Sequence, residues 1–400
     1  MDLIICFRKA DKDKNYSLTS LDNRSLGGFV SPLDVDKDKD EAVELRTLYQ
    51  LVEPDAAGQL EPDRVLCEVG KLLFKALFVA NTSLHEHYRT MDAEDKLVLQ
   101  FEDGAESLLA LPWEYLFDIQ ERTPVATVRS IVRRVGQTIS PKVTEAKTPR
   151  ALVVIAEPLT LHRFNARNVH DLLLAELEPL VKAGRLHLDF LALPITSERF
   201  ARQLAQGHYD IVHFVGHGTV GGLAFEDEVG DKQIVDAGRL RALFDGKGVR
   251  FVFLTACLSA QGEKPGDLFT NTATALVRAG VGGVLAMQYS ALVEPAFAFA
   301  SDIYRALGEK PLEEAILTAR KIRYVADAKG FEAIQWGIPA LYLQTENGNL
   351  FPKLEETKEK SLGELHPWPK PSLLKGVPER DSEFVGRGAK MVKVNQALVL

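Results

Sequence analysis

From Arg150 onward the chain alternates short apolar runs with longer stretches whose apolar residues recur at helical spacing. The runs are ALVVIA, LHLDFLAL, DIVHFV, VRFVFLTA, GVGGVLAM and PALYLQ, all of strand length and rich in β-branched or aromatic residues. Between them lie helical candidates, including VHDLLLAELEPLVKAG, TNTATALVRAG and PLEEAILTARKIRYVADA. Apolar strands alternating with helices predict an α/β layered domain with a largely parallel sheet, because right-handed crossovers then cover both sheet faces.

Texture divides the rest of the chain. Residues 1–147 carry amphipathic helical patterns such as VLCEVGKLLFKALF, end in the polar stretch SPKVTEAKTP, and read as a mixed α/β N-terminal subdomain. Residues 148–352 form the α/β domain proper. Residues 353–382 are charged and then Pro-rich, as an exposed linker is. Residues 383–400 begin to look structured again, so a longer natural protein with a further domain is expected.

Composition narrows the function classes. Hydrophobic residues make up 46% and charged residues 26%, which suits a globular core. The net charge of −8 is spread along the chain without a basic stripe, arguing against nucleic acid as a direct ligand and against a polybasic membrane patch. No stretch approaches the roughly 18 apolar residues of a spanning helix, and the N-terminal apolar run is too short for a signal peptide. The three cysteines, Cys6, Cys67 and Cys257, are far apart and lack metal-ligand spacing, so neither disulfides, nor a metal, nor a cofactor is expected; a reducing cytoplasm fits best.

The candidate chemistry sits in DIVHFVGHG and VRFVFLTAC, two apolar strands that each end near a reactive side chain. Cys257 follows His217 by 40 residues, enough for one crossover, so the strands can be parallel neighbours presenting both residues at the carboxyl edge of the sheet. An imidazole beside a thiol favours the thiolate and supplies a proton to a leaving amine. Gly218 lets the backbone approach a substrate, so its N–H and that of Cys257 are the candidate oxyanion donors.

Together FVGHG, FLTAC, GDLFTNTATALVRAGVGGVLAMQYS and WGIPALYL resemble the CHAT domain, a caspase-like branch of the clan that holds separases and legumains. LPWEYLFD at 111–118 and TVRSIVRRV after it match the upstream part of that family, so the resemblance spans roughly residues 65–351. It implies a caspase-like three-layer sandwich, a His–Cys dyad carried to His217 and Cys257, and hydrolysis of peptide bonds in a protein or peptide substrate. PERDSEFVGRGAK resembles the opening of STAND or AAA-type ATPase domains at Phe384 to Arg387, which implies regulatory ATPase and sensor domains in a longer chain, with oligomerisation as a route to activation. No GxxxxGK[ST] phosphate loop occurs within these residues. By analogy the whole is a signalling or bacterial defence protein with a peptidase effector; the alternatives are an inactive protein-binding scaffold, or acyl transfer or nucleotide binding by an ordinary α/β domain.

Several residues read as decoys. His213 is mid-strand, about 13 Å from His217, and reads as a core histidine. His208 and His170 read as loop or helix-surface residues, Cys6 as a buried small hydrophobe, and Cys67 as part of a helix. Gly216, Gly218 and Gly221 spell a dinucleotide-binding fingerprint, but the continuation GGLAFEDEVGDKQIVDAG reads as a hairpin or loop where that site needs a helix. DKDKNYSLTSLD and DVDKDKD imitate calcium loops without the required glycine and terminal glutamate. Trp113 and Glu114 read as anchors between the N-terminal subdomain and the rest. For an acidic specificity pocket the candidates are Glu226, Asp227, Glu263 and Asp267, with no basis for choosing among them.

Overall fold

The computed structural model describes residues 1–10, 15–33, 62–136, 138, 139, 148–219, 222–258, 265–289, 291–326 and 330–351. The N-terminal region supplies strands β1 (Leu3–Lys9), β2 (Asn15–Thr19) and β3 (Ser25–Val30), helices α1 (Pro62–Phe74) and α2 (Thr82–Arg89), and strand β4 (Leu97–Phe101). A small hairpin of β5 (Phe117–Asp118) and β6 (Thr123–Pro124) precedes β7 (Ile131–Val135).

The alternating region comprises β8 (Arg150–Ile155), α3 (Ala166–Lys182), β9 (His187–Phe190), α4 (Ser197–Gln206), β10 (Ile211–Thr219), β11 (Gly222–Glu226), β12 (Lys232–Val235), α5 (Ala237–Phe244) and β13 (Phe251–Leu258). It continues through α6 (Pro265–Arg278), β14 (Gly283–Met287), α7 (Val293–Ala306), α8 (Leu312–Tyr324) and β15 (Pro339–Leu343). Polar caps set the helix starts: the Asn165, Thr196 and Asp236 side chains accept from the backbone N–H three residues on, at 3.2, 3.2 and 2.8 Å.

Among the described residues the main sheet has thirteen strands, ordered β12-β11-β10-β13-β14-β15-β7-β4-β1-β2-β3, with β8 pairing β10 and β9. Strands β9, β8, β10, β13 and β14 run parallel, β15 turns antiparallel on β14, and β7, β4 and β1 continue parallel to β15. The α/β class and the largely parallel sheet are therefore as the sequence pattern predicts. One sheet carries both the N-terminal strands and the later ones, joined where Tyr342 of β15 pairs with Arg133 of β7. Arg134 Nη2 donates to the Thr345 carbonyl at 3.1 Å and Gln344 Nε2 to the Val135 carbonyl at 2.7 Å, which fastens that seam.

The period-two alternation of β10 separates the layers. Val212 and Phe214 face an apolar interior with Phe200 of α4, Leu240 and Phe244 of α5 and Leu276 of α6. His213, between them, stacks on Phe253 and reaches Phe297 and Tyr304 of α7 on the opposite face. Helices α3, α7 and α8 pack in sequence on that second side. The result is a three-layer sandwich with apolar side chains filling both helix–sheet interfaces.

A buried polar network crosses the seam. Arg133 pairs with Glu114, and its Nη2 donates to Gln288 Oε1 at 2.6 Å, while Gln288 Nε2 donates to Glu114 Oε2 at 2.6 Å. Gln288 directly follows β14, so Glu114 does tie the two regions together. Trp113 does something else: its ring packs against Phe7, Phe29 and Phe101 and its indole N–H donates to the Leu108 carbonyl at 2.8 Å. Those partners are all N-terminal, so of these two residues Trp113 builds the local core and Glu114 reaches across the seam.

Helix α1 confirms the amphipathic pattern of residues 65–78 and continues as a short wider turn through Lys75–Val79. No helix among the described residues is long and apolar enough to cross a membrane. The linker at 353–382, the segment 383–400, Glu263 and the acidic run after Leu33 lie outside the described residues, as do Asp11 and Asp13 of the first calcium-loop imitation.

Candidate active site

Strands β10 and β13 are parallel neighbours along their whole shared length, from Ile211↔Phe251 to Gly218↔Leu258. In that register His217 lies directly opposite Cys257. Both occupy the carboxyl end of the sheet, where open α/β folds leave a crevice. Residues paired in register point to the same face of a sheet, so the two positions share one face. Gly218 follows His217 within β10 and pairs with Leu223 of β11 on its other side.

The edge of β10 changes partner just here. Strand β8 pairs it as far as Val215↔Ile155, and the Ala156 N–H donates to the Val215 carbonyl at 2.9 Å. From His217 onward the partner is β11, with His217 opposite Ala224. The chain leaving β8 therefore peels away beside His217 and arches over it before α3 begins. Gly216 stands at this fork, and a Cβ there would lie 2.9 Å from the Ala156 carbonyl oxygen and 3.0 Å from the Phe214 ring.

His217 is buried, with only 4% of its surface exposed. The Phe164 ring meets it edge-on, with ring centroids 5.4 Å apart. Burial pushes the imidazole below the ordinary histidine value, while a hydrogen bond with the His162 backbone and the nearby Glu157 charge act in the opposite direction; the His162 ring adds to the lowering. The neutral imidazole is the form that can accept a proton at neutral pH.

Glu157, the second residue after β8, organises the arch. Its Oε1 accepts from the Phe164 N–H at 2.8 Å and the Ala166 N–H at 3.3 Å, and its Oε2 accepts from Arg163 Nη2 at 2.8 Å. Its own N–H donates to Glu226 Oε1 at 3.2 Å, and Glu226 Oε2 accepts from the Ile195 N–H at 2.9 Å. Burial raises the Glu226 carboxyl from its ordinary value, opposed by those two backbone amides. Glu226 is thus committed to tying three loops together. Asp227 is committed too, its Oδ1 accepting from the Val229 and Asp231 N–H groups at 2.9 Å each. Both carboxylates thus hold backbone amides, and the Glu263 and Asp267 side chains are outside the described residues.

The decoys resolve on geometry. His213 is fully buried, shares a 3.0 Å hydrogen bond through Nε2 with Thr255 Oγ1, and is pushed down to about 3 by burial, as befits a core residue. His208 is exposed in a loop. His170 is a correction: it lies on α3 but is buried, its ring 4.2 Å from that of Phe190, because α3 turns this face onto β9. Cys6 is buried on β1 and Cys67 sits within α1; burial raises both thiols, which keeps them protonated and unreactive. The stretch after Gly218 forms the β11–β12 hairpin, without a helix to receive a pyrophosphate.

Glu157, His162, Arg163 and Phe164 escaped the sequence reading. The one available signal was an acidic residue immediately after the apolar run ALVVIA, the position where a parallel strand delivers its chain to the carboxyl edge.

No curated protein matches the chain. Among solved structures it is similar to separase in the Saccharomyces cerevisiae separase–securin complex, with 14% identity and a TM-score of 0.40 over 74% of this chain and 20% of that one. The Arg-specific cysteine proteinase gingipain R is similar with 11% identity and a TM-score of 0.43, over 73% of this chain and 69% of that one. A complex of the Porphyromonas gingivalis RgpB pro- and mature domains gives 11% identity and a TM-score of 0.47, covering 77% of each chain. This chain thus spans only a fifth of the separase polypeptide. The CHAT domain model matches residues 67–339, which include both β10 and β13, and the chain belongs to the CHAT domain family.

Proposed function

We propose that the chain is a cysteine endopeptidase in which His217 and Cys257 form the catalytic pair. The observation that carries the reading is their direct opposition across β10 and β13 at the carboxyl edge of the sheet. The Cys257 sulfur, as thiolate, forms a bond to the carbonyl carbon of the scissile peptide, and the carbonyl oxygen takes up the negative charge. The N–H groups of Gly218 and Cys257 stabilise that oxyanion. Protonated His217 gives its proton to the departing amine as the C–N bond breaks, leaving a thioester. Neutral His217 then takes a proton from water, whose oxygen attacks the thioester and releases the acid and the thiolate.

This module serves as the effector of a larger signalling or bacterial defence protein, held in check by ATPase and sensor domains and acting in the cytoplasm; the likeness of Phe384 to Arg387 to the opening of such ATPases supports that part. Oligomerisation through those domains is one route to activation. The test is to digest a peptide library with wild-type protein and Cys257→Ala. Products that depend on Cys257 support the reading, and their absence under activating conditions favours a protein-binding scaffold.

A further inference from the structure

We propose that Glu157 is a positioning residue for His217: it holds the arch of residues 157–166 so that the His162 backbone and the Phe164 ring fix the imidazole, and it sets a carboxylate beside that ring. The inference rests on the peptidase reading for its catalytic meaning, but its structural content can be measured separately.

The sheet forks beside His217. The last β8–β10 pair is Val215↔Ile155; His217, still within β10, and Glu157, past the end of β8, are each the second residue beyond it. Strand β11 takes the place of β8 at that point, so the departing chain has lost its ladder and needs another tether. Glu157 provides it. Its two oxygens together hold the Phe164 and Ala166 amides and the Arg163 guanidinium, the residues that flank and follow His162. The carboxylate is buried, with 8% of the residue exposed, so these charge-assisted bonds are little weakened by solvent.

The tethered segment is the one that touches the histidine. His162 shares a backbone hydrogen bond with the His217 ring, and Phe164 closes over it edge-on. A loop without the Glu157 anchor would leave both contacts to chance. Among the described residues, the charged and titratable groups that act on the ring are Glu157 and His162, with Arg163 and Glu226 bonded in turn to Glu157. Of these Glu157 supplies the charge that favours the imidazolium, which must exist while the amine departs.

The test uses the intact chain carrying isotope-labelled histidine, with the His217 resonance assigned by its loss in His217→Gln. Glu157→Gln keeps an oxygen for the amides and removes the charge, so the titration midpoint of His217 is expected to fall. Arg163→Gln, at a half-exposed side chain that threatens the fold little, removes the cation facing Glu157, so the midpoint is expected to rise. Glu198→Gln, on the surface of α4, serves as the control and leaves it in place. Where Cys257-dependent cleavage is measured, Glu157→Gln should lower kcat about 10-fold with KM changed less. Opposite shifts in the two variants support the assignment; midpoints in both that match the Glu198→Gln control overturn it. Absence of Cys257-dependent cleavage in the wild type would sink the peptidase reading instead, with the titrations still deciding the role of Glu157.

Discussion

His217 of β10 and Cys257 of β13 face each other in register across two parallel strands. The relationship follows from ordinary features. Two apolar runs of matched length are joined by a crossover through β11, β12 and α5, and their parallel pairing begins at Ile211 and Phe251, which aligns everything downstream. A slip of one residue would send one member of the pair to the other face of the sheet.

Gly216, at the fork between β8 and β11, has no room for a side chain. A Cβ would press on the Ala156 carbonyl oxygen, a backbone atom that moves only if β8 moves. Gly216→Ala should destabilise the protein by about 1–3 kcal/mol and lower Cys257 reactivity more than stability alone explains. Denaturant unfolding alongside electrophile labelling checks both.

The Glu114–Arg133–Gln288 network should matter most when broken on one side. Glu114→Gln leaves the Arg133 guanidinium buried without its counter-charge and should cost about 3 kcal/mol or more. Glu114→Leu combined with Arg133→Met should recover much of that loss, since an apolar pair of similar size has no charge to desolvate. A double-mutant cycle from thermal or urea unfolding measures the difference.

His213 sets a pH dependence of stability. Its folded value is about 3, below the ordinary 6.5, so the unfolded state binds the extra proton between those limits. Stability from this residue is therefore fully present above pH 6.5 and lost progressively as pH falls toward 3. Stability should fall by up to about 1.4 kcal/mol per pH unit through this window on account of His213, and His213→Phe should flatten the acid side by that amount. Urea unfolding from about pH 7 to about pH 4 reads the slope.

The fold was largely legible from the chain. Each of the six apolar runs after Arg150 became a strand, and the stretches around Leu173, Leu276 and Ile316 became α3, α6 and α8, because buried parallel strands leave continuous apolar runs. Strands β1, β4 and β7 were harder to see. They add to the far side of the same sheet through β15, a pairing between residues roughly two hundred positions apart that no local pattern encodes. The juxtaposition of positions 217 and 257 across two parallel strands was legible because both sit at strand ends. Glu157 was not, since its role depends on where β8 departs from β10, a feature of sheet topology.

The most direct measurement is covalent labelling of the wild-type protein by a peptidyl electrophile, with the modified residue identified by mass spectrometry. Cys257 should react selectively while Cys6 and Cys67, whose thiols burial raises, stay unmodified, and His217→Ala should slow the reaction at least about 100-fold. Equal labelling of the three cysteines, or a rate at Cys257 indifferent to His217→Ala, would contradict the account.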